Sequence, residues 1–157
     1  MSREEHRRTE GNISRAAVKD LLVGAAKEFL ENDGSYPPFG ASMNLEGELA
    51  IVGTYLHSQV GISPLDHVDT LLQGFVAQRG GLRAFGICSD VNPLSGGSSE
   101  ATGAIQVNVE SSDGVAEVFR QSFVIAESFC LLEGVSEESV PLVFLPRRKW
   151  WWPWSAT

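Results

Sequence analysis

Apolar residues recur along this chain in two rhythms, one helical and one alternating. Val18, Leu21, Leu22, Ala25, Phe29 and Leu30 fall at helical spacing and form one stripe. Ser14 reads as the cap before that stripe, and Asn32-Asp33-Gly34 reads as its stop. A first helix over 14–31 is predicted. Tyr36-Pro37-Pro38 cannot extend it, because proline has no amide donor and fixes its own φ.

The rhythm then changes to period two. Phe39, Ala41, Met43 and Leu45 alternate with Gly40, Ser42 and Asn44, and Glu46-Gly47 reverses the chain into Leu49–Leu56. This spacing predicts a hairpin across 39–56. Ser63-Pro64-Leu65-Asp66 is a helix start: a capping serine, a proline at the first helical position, and an acid in the first turn. Leu65, Val68, Leu71, Leu72, Phe75 and Val76 form the stripe of a second helix over 64–79, which Gly80-Gly81 ends.

Leu82–Val91 reads as a strand and 92–102 as a Gly/Ser-rich loop. Ile105, Val107 and Val109 alternate with Gln106, Asn108 and Glu110, Ser111-Ser112-Asp113-Gly114 turns, and Val115–Ile125 returns. Residues 127–138 are expected to be loop or a broken helix, and 140–145 has strand composition between two prolines.

The predicted order is α-β-β-α-β-β-β. Short links and hairpins favour antiparallel pairing, since close parallel neighbours need long crossovers. The expected fold is therefore α+β and two-layered, with about five mainly antiparallel strands and both helices on one face. Residues 1–11 are expected as a disordered lead-in, 12–146 as a single domain, and 147–157 as a basic, aromatic tail.

This element order, over roughly residues 14–126, resembles the roadblock or longin-type arrangement, a scaffold that serves binding and assembly. The likeness rests on order alone and carries no residue roles. A second likeness rests on Tyr36-Pro37-Pro38-Phe39-Gly40, the Asn44-Leu45-Glu46-Gly47-Glu48 turn, and Ala104–Glu110 with Asp113-Gly114. These segments are similar to small bacterial proteins that read Tyr-Pro-Phe-Gly at the first strand, where this chain has an extra proline. The likeness implies a bacterial soluble domain and brings no activity.

Charge changes the picture more than composition does. Residues 28–146 hold sixteen acidic side chains against Arg79, Arg83 and Arg120, a net of −13. Residues 1–27 carry +2 and 147–157 carry +3. Such a body repels phosphates, which argues against nucleic acid as a partner, and it suits a basic protein. No run of eighteen apolar residues predicts a membrane span, and the charged first fifteen residues do not read as a secretory leader. Cys88 and Cys130 are too few for a disulfide scaffold, which favours a cytoplasmic protein.

Candidate chemistry is sparse. Asp66, His67 and Asp69 cluster on the second helix, but this spacing does not place all three on one face. His57 with Cys88 is a conceivable nucleophile pair if their strands are neighbours, so a small enzyme or ligand binder using His57, His67 and Cys88 is the alternative reading. No Cys-x-x-Cys supports zinc, and the loop Ser95–Ser99 lacks the ending of a phosphate-binding motif; no cofactor or metal is expected.

Tyr36 and Phe39 read first as rings capping the core and second as a recognition surface. Trp150, Trp151, Trp152 and Trp154, beside Arg147, Arg148 and Lys149, suit a partner's groove, a fold-back onto the domain, or weak peripheral membrane contact. The leading expectation is a non-enzymatic bacterial interaction module, immunity- or adaptor-like. Its partner surface is assigned to Glu46, Glu48, Glu110, Asp113 and Glu117 at the hairpin ends, with Tyr36 and Phe39.

Overall fold

The computed structural model describes residues 2–54, 64–91, 103–125 and 129–138. Readings that fall elsewhere lie outside the described residues: His57, the Ser63 cap, the loop at 92–102, the stretch 140–145 and the tail 147–157.

Helix α1 runs Arg3–Asp33, eleven residues longer at its start than the apolar stripe implies. Residues 3–11 are helical rather than a disordered lead-in. Ser2 is the cap: its Oγ accepts from the Glu5 amide at 3.1 Å, and Glu5 Oε2 accepts from the Ser2 amide at 3.1 Å. This reciprocal pair satisfies two otherwise orphaned donors, and Glu4 and Glu5 suit the positive end of the helix dipole. At the other end Gly34 takes φ +77°, the left-handed cap, and donates to the Leu30 carbonyl.

Strands β1 (Phe39–Asn44) and β2 (Leu49–Val52) form the expected hairpin. Helix α2 is Pro64–Gln78, and one 3-10 turn at Arg79–Gly81 leads into β3 (Leu82–Val91). Strands β4 (Gly103–Ser111) and β5 (Ala116–Ile125) pair around the predicted turn, with Gly114 at φ +83°. Residues 129–138 then form β6 (Phe129–Glu138), where a loop or broken helix is expected. Among the described residues the sheet has six strands in the order β2-β1-β3-β4-β5-β6, and every neighbouring pair is antiparallel. The α+β class and the order of the first seven elements are as the sequence implies.

The helices do not share a face. Ala84 and Cys88 of β3 pack with Val18, Leu22 and Ala26 of α1. Phe85 and Ile87, their alternating neighbours, pack with Leu71 and Phe75 of α2. Successive strand side chains point to opposite sides, so α1 and α2 cover opposite faces. The fold is three-layered where α2 lies. The Phe75 ring stacks on Phe85 with centroids 4.7 Å apart. Gly40 and Gly86 allow the close approaches: a Cβ on Gly40 would lie 2.8 Å from the Phe75 ring, and one on Gly86 would lie 2.8 Å from Leu22 Cδ1.

Candidate functional site

The seven residues expected at a partner surface fall into three groups. Tyr36 and Phe39 belong to the core. Both are buried, and their rings meet edge-on with centroids 5.5 Å apart. The Tyr36 hydroxyl lies 3.6 Å from Cys88 Sγ. Burial is the first cause that raises the phenol well above its ordinary range, with Cys88 as the second. These rings offer no recognition surface.

Glu110 is also inside, and Asp113 and Glu117 are half-buried. Glu110 is 1% exposed, on the α2-side face of β4 beside Phe85. Asp113 and Glu117 serve Arg15, a cation embedded in the inward stripe of α1. Arg15 Nε donates to Glu117 Oε1 at 2.6 Å, and Nη1 lies 3.2 Å from both Asp113 oxygens and 2.5 Å from Ser111 Oγ. Nη2 donates to Asn12 Oδ1, and Ser111 Oγ to Asp113 Oδ1. Gly11 makes room: a Cβ there would lie 2.1 Å from Asp113 Oδ2. The cluster clamps α1 to the β4–β5 turn, so these carboxylates are structural. Its sequence signal is Arg15 itself, three residues before Val18 and seven before Leu22 on the buried side of a helix.

Glu46 and Glu48 are where exposure was expected, at the β1–β2 turn. Asn44 builds that turn: its Oδ1 accepts from the amides of Glu46 at 3.0 Å and Glu48 at 2.8 Å. Gly47 supplies φ +86°. Arg83 passes near, its Nη1 3.7 Å from where a Cβ on Gly47 would sit. It is the extra residue of a bulge, since Met43 pairs with Ala84 and Asn44 with Leu82.

The sequence reading missed the apolar residues between and beyond these acids. Leu45 is 51% exposed, Leu49 43% and Ile51 50%. Leu49 and Ile51 pair with Met43 and Ala41, so they continue the α1-side face outward past the edge of the core. On the α2 side of the same strand lies a groove lined by Val52, Gly53, Thr54, Thr70, Leu71, Gly74, Phe75 and Gln78. Among the described residues no charged side chain lines it. Thr54 Oγ1 contacts His67 Nδ1, which brings the first turn of α2, with exposed Asp66 and Asp69, to the far end of β2. The strand edge is thus apolar on both faces and carries carboxylates at both ends.

The catalytic alternative does not assemble from the described residues. Cys88 is on the α1 side and fully buried, and burial pushes its thiol up to about 12 despite the Tyr36 hydrogen bond. His67 is on α2, across the sheet from Cys88. Asp66, His67 and Asp69 build no metal site, and no group of three or more ligating side chains is arranged for one among the described residues. No described helix is long and apolar enough to cross a membrane. Comparison of the chain with protein-family models, with curated proteins and with solved structures finds no match.

Proposed function

We propose that this chain is a non-enzymatic protein-interaction module, immunity- or adaptor-like in kind, that binds a basic protein partner. The observation that carries the reading is the sheet edge at β2. Leu45, Leu49 and Ile51 are exposed in one short stretch, interrupted by Glu46 and Glu48, in a body of net charge −13. Clustered exposed apolar side chains with a charged rim are the mark of a protein contact. The surrounding negative field speeds encounter with a cationic partner and disfavours acidic ones.

The partner surface thereby contracts from the seven residues expected at first to Glu46 and Glu48, joined by the apolar edge. The test is binding of partners by the immobilised full chain, compared with a Glu46→Lys, Glu48→Lys variant. A partner with a basic surface, released by salt and lost with the charge reversal, is the expected result. Binding indifferent to both salt and these two charges would refute the reading.

A further inference from the structure

We propose that the partner is held as an added β-strand on the outer edge of β2, as an extended segment with aliphatic residues in alternation and lysine or arginine at its ends. This rests on the interaction reading above and deepens it.

Hydrogen-bond alternation sets which amides are available. The Asn44 amide donates to the Glu48 carbonyl at 3.0 Å, so Asn44 and Glu48 are a bonded pair. Bonded and non-bonded pairs alternate in an antiparallel ladder. The register pairs Met43 with Leu49, Ser42 with Ala50, and Ala41 with Ile51. Ala50 and Val52 therefore bond inward to β1, while the backbone groups of Leu49 and Ile51 point outward. Among the described residues β2 ends the sheet, so these outward groups are the template that strand addition uses.

The two faces of the edge select the segment's side chains. Toward α2, the added strand meets the uncharged groove of Val52, Thr54, Leu71, Gly74 and Phe75, which takes aliphatic side chains. Nothing lies within 4 Å of a Cβ built on Gly53 or Gly74, so the groove is open where those side chains enter. On the other face Leu49 and Ile51 offer apolar cover. Glu46 and Glu48 at one end, and Asp66 and Asp69 at the other, match terminal cations.

The probe is a seven-residue synthetic peptide with lysine at each end and valine alternating with threonine between, added to the full chain. Amide exchange followed by NMR is the readout. The expected result is slowed exchange of the Leu49 and Ile51 amides on peptide addition. Ile51→Pro removes an outward donor without touching a bond to β1, and Gly74→Leu fills the groove. Each is expected to weaken peptide binding about tenfold or more, the effect of losing roughly one good hydrogen bond or side-chain pocket. If Ile51→Pro does not fold, Gly74→Leu and the exchange readout decide. Absence of peptide binding overturns the proposal. So does binding with shifts confined to Glu46, Glu48, Asp66 and Asp69 and unchanged exchange at Leu49 and Ile51; that outcome leaves the charge-based interaction reading standing. Unimpaired binding by Gly74→Leu likewise overturns the groove.

Discussion

Arg15 and Glu117, 102 residues apart in sequence, meet at 2.6 Å between Nε and Oε1, with the arginine side chain 3% exposed. Removing one partner of a buried pair leaves the other charge without compensation, which costs on the order of 3–5 kcal/mol. Arg15→Met is therefore expected to lower the urea midpoint sharply, because Asp113 and Glu117 are both left behind. Adding Asp113→Asn and Glu117→Gln should restore part of the loss. A single variant within about 0.5 kcal/mol of the parent, the range of ordinary surface changes, would show that the clamp is not structural.

Two glycines of α1 should respond in opposite directions to the same change. Alanine is favoured over glycine in a helix by about 1 kcal/mol. At Gly24 nothing lies within 4 Å of a new Cβ, so Gly24→Ala is expected to stabilise by up to about that amount. At Gly11 the Cβ would sit 2.1 Å from Asp113 Oδ2. Asp113 must then leave Arg15, and the cost of a disrupted buried ion pair outweighs the propensity gain. Thermal melts of the two variants should move to opposite sides of the parent.

Cys88 should be chemically silent in the folded protein. Burial pushes its thiol up to about 12, so thiolate is scarce at neutral pH, and the side chain is fully buried. In a Cys130→Ser background, a disulfide reagent at pH 8 is expected to react at the rate of unfolding. The sign of the pH effect follows. The folded thiol holds its proton more tightly than the unfolded one, whose pKa is about 8.5. Its contribution to stability is complete below that value and falls as pH rises toward about 12. Tyr36, raised in the same direction, adds to the alkaline loss. Cys88→Ala should flatten this slope, and an unchanged slope would contradict the assignment.

Phe39→Ala should unfold the protein before it impairs recognition. Phe39 is 5% exposed and lies against Tyr36 and Phe29 at ring-centroid distances of 5.5 and 5.2 Å. Truncating a buried phenylalanine costs about 3–5 kcal/mol. Partner affinity measured on the remaining folded fraction should be unchanged. A folded variant with selectively lost binding would return Phe39 to the interface.

Much of the fold is legible from local pattern. The glycines at 34, 47 and 114 take the positive φ that their turns need, and Leu82–Val91 is bounded as its composition suggests. The placement of α2 on the opposite face had a signal too, against the expectation that both helices share one face. Phe85-Gly86-Ile87-Cys88 is a continuous apolar run, and a strand covered on both faces reads that way, whereas one-sided cover gives alternation. The start of α1 was written as Ser2 followed three residues later by Glu5, a signature outweighed in the reading by the polar composition around it.

The site was harder to read, because exposure at a hairpin end is a tertiary property. The β1–β2 and β4–β5 turns look alike in sequence. Nothing in the second turn itself announces that Arg15, about a hundred residues upstream, occupies its carboxylates. The apolar edge had a signal in Leu45, Leu49 and Ile51. Period-two spacing assigns such residues to a core face, and it is the position of β2 at the end of the sheet, among the described residues, that leaves them exposed.

The strand order has a consequence for synthesis. α1 leaves the ribosome before the strands, yet its inward stripe rests on β1, β3 and β4, and Arg15 waits for residues 111–117. A nascent chain that stops before residue 103 holds a thirty-one-residue helix whose Val18 and Leu22 lack the cover that Ile105, Val107, Val109 and Phe123 bring. Such unfinished chains should be the ones that chaperones retain and that self-associate when overproduced.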